Sequence, residues 1–340
     1  MYWSIGLLPF KDDFWSESDN YANPWNSREA DPELQTVVSS LIAGPVGPAD
    51  GLGNLNKTRI MRTCRQDGTL LKPHGPAMNL DSTFKAALAD KRALGTASYI
   101  GVPSVWGATM SASAAAASAA ATSSVSPPSA PPPVHHVLLF ANVSAAGYAV
   151  ELSELLAIEA EARRAPDFSF QFKLKIDSAA ASQTASFVAR EFYSGEQRLV
   201  DAAHPLKVSH APPPPACASM PGTSSPRKMY CIPFELWTLA PVPAPRAGWV
   251  MLGEVDKYVG VSGQRFEGQT STAKSLSTNV LGSAKEVVSI AMLDCRAKGA
   301  CASTAALPKL LLVRCVITPS FPTDKNGRAR LQCGASCTCA

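Results

Sequence analysis

Two adjacent carboxylates, Asp12 and Asp13, stand near the start of the sequence and run directly into two aromatic residues, Phe14 and Trp15. A carboxyl that is partly buried beside a second carboxylate keeps its proton to higher pH, which suits it to general acid/base work. An aromatic face meets the apolar C–H face of a sugar ring, so Phe14 and Trp15 could form a stacking wall next to such an acid; they serve equally as core anchors. The plain alternative for Asp12 and Asp13 is a pair of solvated loop carboxylates beside Lys11. Asp50 and Asp67 are better explained by the backbone, because Asp ahead of a helix accepts orphan amide hydrogens and Asp67-Gly68 supports a turn. His135-His136 is a tempting metal pair, but neighbours on a strand point to opposite faces and no third ligand stands at a suitable spacing.

Six of the nine cysteines, Cys295, Cys301, Cys315, Cys333, Cys337 and Cys339, crowd into the last 46 residues. The run Cys333-x-x-x-Cys337-x-Cys339 reads either as a zinc set completed by Cys315, at a spacing unlike fingers or ribbons, or as disulfides, which require an oxidising compartment. Neither a Gly-x-Ser-x-Gly elbow nor a phosphate-cradling glycine loop occurs, so acyl transfer and nucleotide binding have no sequence support. Nothing in the sequence requires a metal or an organic cofactor.

The elements that must position these residues change character along the chain. Asp31-Pro32-Glu33 offers a cap, a first-turn proline and an early acid, and Leu34, Val37, Val38, Leu41 and Ile42 follow at helical spacing, which predicts a helix over 32–43. Gly44-Pro45 ends it, and Asp50 is placed to cap a second helical stretch over 54–64. Residues 69–72 read as a short strand after the Asp67-Gly68 turn. Residues 111–133 collapse to Ala, Ser, Thr and Pro, with too few large side chains to repay ordering, and 210–226 forms a second Pro-rich break. Beyond 134, strand-like runs recur at 134–142, 168–176, 186–193, 231–240, 249–252, 287–293 and 310–317, with one helical interruption at 153–164. Such a series argues for an antiparallel β-sandwich.

Composition narrows the function classes. The 340 residues carry 31 basic and 27 acidic side chains, a net charge of +4, and no basic run, which argues against a nucleic-acid partner. No apolar stretch reaches the roughly 18 residues of a membrane span, and 1–10 lacks the basic start and apolar core of a secretory leader. The sequons Asn56-Lys57-Thr58 and Asn142-Val143-Ser144, with the cysteine cluster, lean toward secretion of a full-length protein. Oligomeric state is not legible.

The segment from Gly44 to Phe84 resembles the end of the catalytic barrel in the α-galactosidase and raffinose-synthase group of glycoside hydrolases. It carries, in order, Gly44-Pro45-Val46 with Asp50, Asn54 or Asn56, Asp67-Gly68-Thr69-Leu70-Leu71, Pro76, and Asp81 with Phe84. Asp12-Asp13-Phe14-Trp15 is similar to the segment that bears that group's general acid/base, although Pro9-Phe10-Lys11 stands where the group has Arg and a small residue. Phe234-Glu235-Leu236-Trp237, 248–253 and 257–259 look like the all-β domain that follows such barrels.

The resemblance implies Asp13 as acid/base, with Asp12 as the alternative, Phe14, Trp15 and Asp50 as substrate-binding residues, and carbohydrate as the partner. It also implies a gap. Retaining glycosidases need two carboxylates about 5 to 5.5 Å apart, and a barrel needs roughly 250 residues, whereas no nucleophile precedes Asp13 and at most 90 residues here would belong to one. The expected architecture is therefore mixed α/β and all-β. Residues 1–90 would be an incomplete C-terminal part of a (β/α)8 barrel, 91–110 a first strand region, 111–133 an insertion, 134–319 an antiparallel β-sandwich and 320–340 a Cys-rich, ill-ordered tail. The expected function is a glycoside-hydrolase-like protein, inactive as a C-terminal piece of something longer. The alternative is a non-catalytic β-sandwich module that binds carbohydrate or protein.

Overall fold

The computed structural model describes residues 10–18, 29, 31–42, 44–80, 83, 104–110, 134–141, 143, 147–157, 186–209, 232–243, 248–297, 300–319 and 326–340. Strands dominate, and every strand pairing among the described residues is antiparallel. Numbering strands in chain order, a six-stranded sheet runs β1 (Met78–Asn79), β2 (Ser104–Met110), β3 (His135–Ala141), β8 (Phe234–Pro241), β5 (Ser186–Glu191) and β6 (Gln197–Asp201). A second sheet runs β10 (Phe266–Ser271), β11 (Leu276–Ser283), β15 (Asn326–Cys333) and β14 (Thr318–Pro319), with β16 (Cys337–Cys339) also paired to β15. A third runs β13 (Leu311–Val316), β12 (Val287–Asp294) and β9 (Trp249–Glu254), and β4 (Tyr148–Val150) pairs β7 (Leu206–Val208).

Sequence pattern and burial agree strand by strand. β3 is buried along its whole length, so its run of apolar residues shows no alternation, as expected of a strand covered on both faces. β15 alternates instead: Arg328, Arg330 and Gln332 face solvent while Ala329, Leu331 and Cys333 enter the core. Residues 326–340 are therefore not the ill-ordered tail expected from the sequence. β15 pairs β11 over eight residue pairs, from Leu276 with Cys333 to Ser283 with Asn326.

Helix α1 (Pro32–Leu41) forms close to where its spacing predicts, with Asp31 accepting the Leu34 N–H at 3.1 Å and Pro32 in the first turn. Its inner side chains, Val37 and Leu41, join one core with Leu71, Tyr258, Phe266, Val288, Ile290 and Leu331. The N-terminal segments thus close the core of the C-terminal strands. Helix α2 (Lys57–Met61) is shorter than expected and is capped by Asn56, whose carboxamide oxygen accepts the Arg59 N–H at 2.9 Å; Asp50 does not cap it. The predicted strand at 69–72 reduces to a single bridge between Cys64 and Leu70.

The described residues of 10–80 show no alternation of parallel strands and helices, and so no incomplete (β/α)8 barrel. One parallel bridge, Phe14 with Pro48, is the parallel contact found among them, and β1 joins an antiparallel sheet through Met78 with Gly107. The expected strand at 168–176, the low-complexity tract 111–133 and the Pro-rich break 210–226 lie outside the described residues. Of the expected helix at 153–164, residues 153–157 are described and helical.

Candidate functional site

The acid pair expected to do chemistry sits on the surface. Asp12 and Asp13 are both exposed, and the side-chain contact of the pair is local: Asp12 Oδ1 accepts the Asp13 N–H at 3.0 Å. Lys11 turns back as well, its Nζ 3.1 Å from Asp12 O and 5.3 Å from the centre of the Phe14 ring. Phe14 is buried, and its carbonyl accepts the Ala49 N–H at 2.8 Å, so its ring is a core anchor. Trp15 is half-buried, with its N–H 3.3 Å from Glu29 Oε2. Asp50 uses both carboxylate oxygens on the Ser16 N–H, at 2.8 and 3.0 Å, so it braces backbone. The fold thus brings 14–16 alongside 48–50, but leaves Asp12 and Asp13 on an exposed lead-in.

A denser polar node centres on Glu33, which in sequence stands out only as a first-turn acid. Glu33 Oε1 accepts Tyr258 Oη at 2.7 Å, Tyr193 Oη at 3.0 Å and Arg62 Nη1 at 2.7 Å, while Oε2 accepts Arg59 Nε at 2.7 Å. Arg59 also donates to Ser16 O. Burial would raise the Glu33 pKa, but the donors from Arg59, Tyr258 and Tyr193 outweigh it and hold the carboxyl below its ordinary range. Burial and the same carboxylate push both tyrosine hydroxyls upward. A carboxylate with four donors and a depressed pKa is a poor proton shuttle and a good clamp. It ties α1 and α2 to loops of the β region.

A second node is fully buried. Arg265 donates from Nε to Glu254 Oε2 at 2.7 Å and from Nη2 to Glu286 Oε1 at 2.6 Å. Gly282 makes room for it, since a Cβ there would lie 2.5 Å from Glu286 Oε2 and 2.8 Å from Arg265 Nη1. Glu286 accepts further N–H groups from Ser283 and Gln66 at 2.8 and 3.2 Å, and is held low despite burial. Desolvation wins at Glu254 and pushes its pKa up to about 7, against the pull of Arg265.

The remaining sequence candidates resolve simply. His135 Nε2 lies 2.8 Å from Met251 O, and the His136 ring meets Phe187 edge-on at 5.1 Å, so the adjacent pair faces two different layers. No cluster of three metal-ligating side chains occurs among the described residues. The C-terminal cysteines form disulfides, Cys295–Cys301, Cys315–Cys339 and Cys333–Cys337, which removes the zinc alternative for that set. Asp67 does form the expected turn, accepting the Thr69 N–H at 2.9 Å, with Gly68 at φ 84°.

The node around Glu33 was partly legible. Arg59 and Arg62 stand three apart, on one face of a helical turn, whereas Tyr193 and Tyr258 arrive from sequence positions more than a hundred residues away. No protein-family model and no curated protein matches the chain.

Proposed function

We propose that the chain is a non-catalytic carbohydrate-binding protein of glycoside-hydrolase-like descent. The observation that carries the non-catalytic part is the state of the acid pair: Asp12 and Asp13 are exposed, and the third acid expected at the site, Asp50, spends both oxygens on Ser16. Glycosidic cleavage needs a second carboxylate facing the first across the scissile bond, with one of the two shielded enough to hold a proton. Neither condition is met by these groups. The sugar-binding part rests on the motif resemblance and on the solvent-facing aromatics, of which Tyr193 is 46% exposed. Three disulfides favour an oxidising compartment for the folded chain.

A second reading, that Asp13 is the acid/base of a glycosidase-like site, is favoured by the parallel bridge between Phe14 and Pro48, which joins the two resembling segments. Hydrolysis of aryl α-galactosides separates the two readings. The full chain is expected to show background rate together with binding on a glycan array. Turnover abolished by Asp13→Asn establishes the second reading in place of the first, and an empty array removes the first.

A further inference from the structure

Arginines that leave the surface in this protein are answered by carboxylates. Arg59, Arg62, Arg65, Arg198, Arg265 and Arg296 each lie within salt-bridge distance of Asp or Glu. Arg190, on β5, is the exception among the described residues. It is half-buried, its Nε is sealed from solvent, and that Nε has no hydrogen-bond partner. Burial depresses its pKa, with Glu191 as the opposing charge. One oxygen of Glu191, Oε2, accepts Ser194 N–H and Oγ–H at 2.5 and 2.9 Å, while its Oε1 is buried and accepts no hydrogen bond. A guanidinium does not shed its proton at physiological pH, so its desolvation is opposed by the Glu191 charge alone, with no hydrogen bond at Nε.

Arg190 is not the only group there that lacks a partner. Directly opposite Arg190 on β6 is Gln197, whose Oε1 is likewise buried and without a partner. A carboxamide turned about its last bond presents NH2 in place of oxygen. At the β5–β6 turn, Gly195 (φ 72°) would place a Cβ 3.8 Å from Arg190 Nη2, so the guanidinium reaches toward the tip of the hairpin. Two aromatic residues follow on that tip. Phe192 packs against Tyr258 at 5.2 Å, and the exposed Tyr193 makes T-shaped contacts with Phe192 at 4.9 Å and Phe234 at 5.8 Å.

We infer that the β5–β6 hairpin tip is a subsite for a carboxylate-bearing sugar, with Arg190 and Gln197 taking the carboxylate and Tyr193 offering its face to the ring. The planar fork of arginine matches two carboxylate oxygens at once, which a neutral sugar lacks. This deepens the carbohydrate-binding reading and rests on it.

Titration calorimetry on the full chain with glucuronate, galactose and acetate tests it. Glucuronate binds, galactose and acetate bind at least about tenfold more weakly, and Arg190→Gln removes at least about tenfold of the glucuronate affinity. Tyr193→Ala weakens glucuronate but not acetate. Galactose binding as tightly as glucuronate, unaffected by Arg190→Gln, overturns the subsite and leaves the carbohydrate reading standing. Acetate matching glucuronate overturns the sugar assignment. Silence toward glucuronate and galactose alike sinks the subsite, and with an empty glycan array the broader reading as well. Because the Glu191 charge alone opposes the burial of Arg190, Arg190→Gln melts at or above the parent, in contrast to Arg62→Gln, which breaks a Glu33 contact; a clear loss of melting temperature in Arg190→Gln contradicts that weak compensation.

Discussion

Glu254 and Glu286 share one guanidinium, so the buried triad around Arg265 carries one more negative charge than positive. Glu286 gains two backbone donors and stays low, whereas at Glu254 burial outweighs the pull of Arg265 and the carboxyl holds its proton to about pH 7. A carboxyl whose folded pKa is raised from 4.5 to about 7 contributes stability that is fully present below the unfolded value and is lost as pH rises through the folded one. The loss over that window is on the order of 3 kcal/mol. Glu254→Gln cannot ionise and should flatten the fall. Urea unfolding at pH 5 and pH 7.5 checks this: the parent is expected to lose stability between the two, the variant much less, and equal slopes would show that Glu254 titrates normally. Glu33 works with the opposite sign, since its depressed pKa adds stability above the unfolded value that disappears as pH falls.

Among the elements, the β15–β16 hairpin is held by covalent and polar contacts together. Cys333–Cys337 closes it across directly paired residues, and Cys315–Cys339 ties it to β13. Arg296 adds a clasp: it lies over the Trp249 ring at 4.6 Å, pairs with Asp294, and donates to the carbonyls of Gly334 and Ala335. In the chain-entropy account, a disulfide contributes according to the loop it closes. The two bonds close sequence separations of 4 and 24, which corresponds to about 2 and about 3.5 kcal/mol respectively. The pair Cys315→Ser with Cys339→Ser should therefore lower stability more than Cys333→Ser with Cys337→Ser. Chemical unfolding of the two double variants measures the difference, and the reverse order would mean that Arg296 and the ladder already hold β16 in place.

On the scale of the whole molecule, α1 shares its core with strands that lie more than two hundred residues later, from Tyr258 to Leu331. The N-terminal segments are consequently not an independent layer. Leu41→Ala removes a buried side chain at that junction and is expected to cost about 2–5 kcal/mol. Thermal unfolding followed by near-ultraviolet and far-ultraviolet circular dichroism should move together in the variant, as one transition. A separate early transition in the variant would mean that the N-terminal segments unfold alone.

What the sequence determined by itself was local. Asp31-Pro32 capped α1 within a few residues of the expected span, Asp67-Gly68 made its turn, and the apolar runs that became β3, β5, β8, β9, β12 and β13 were visible, because each depends on neighbours along the chain. β11 and β15 were missed even though β15 alternates, since Arg328, Arg330 and Gln332 look like tail residues until pairing with β11 and the core behind Ala329, Leu331 and Cys333 fix the strand. Of the candidate site, the acids were legible as residue types, but their environment was not. Exposure of Asp13, the use of Asp50 as a backbone brace, the Tyr193–Glu33–Tyr258 node and the partnerless Nε of Arg190 were decided by tertiary structure alone. Desolvation and charge pairing depend on which distant side chains share a volume, and sequence spacing does not carry that information.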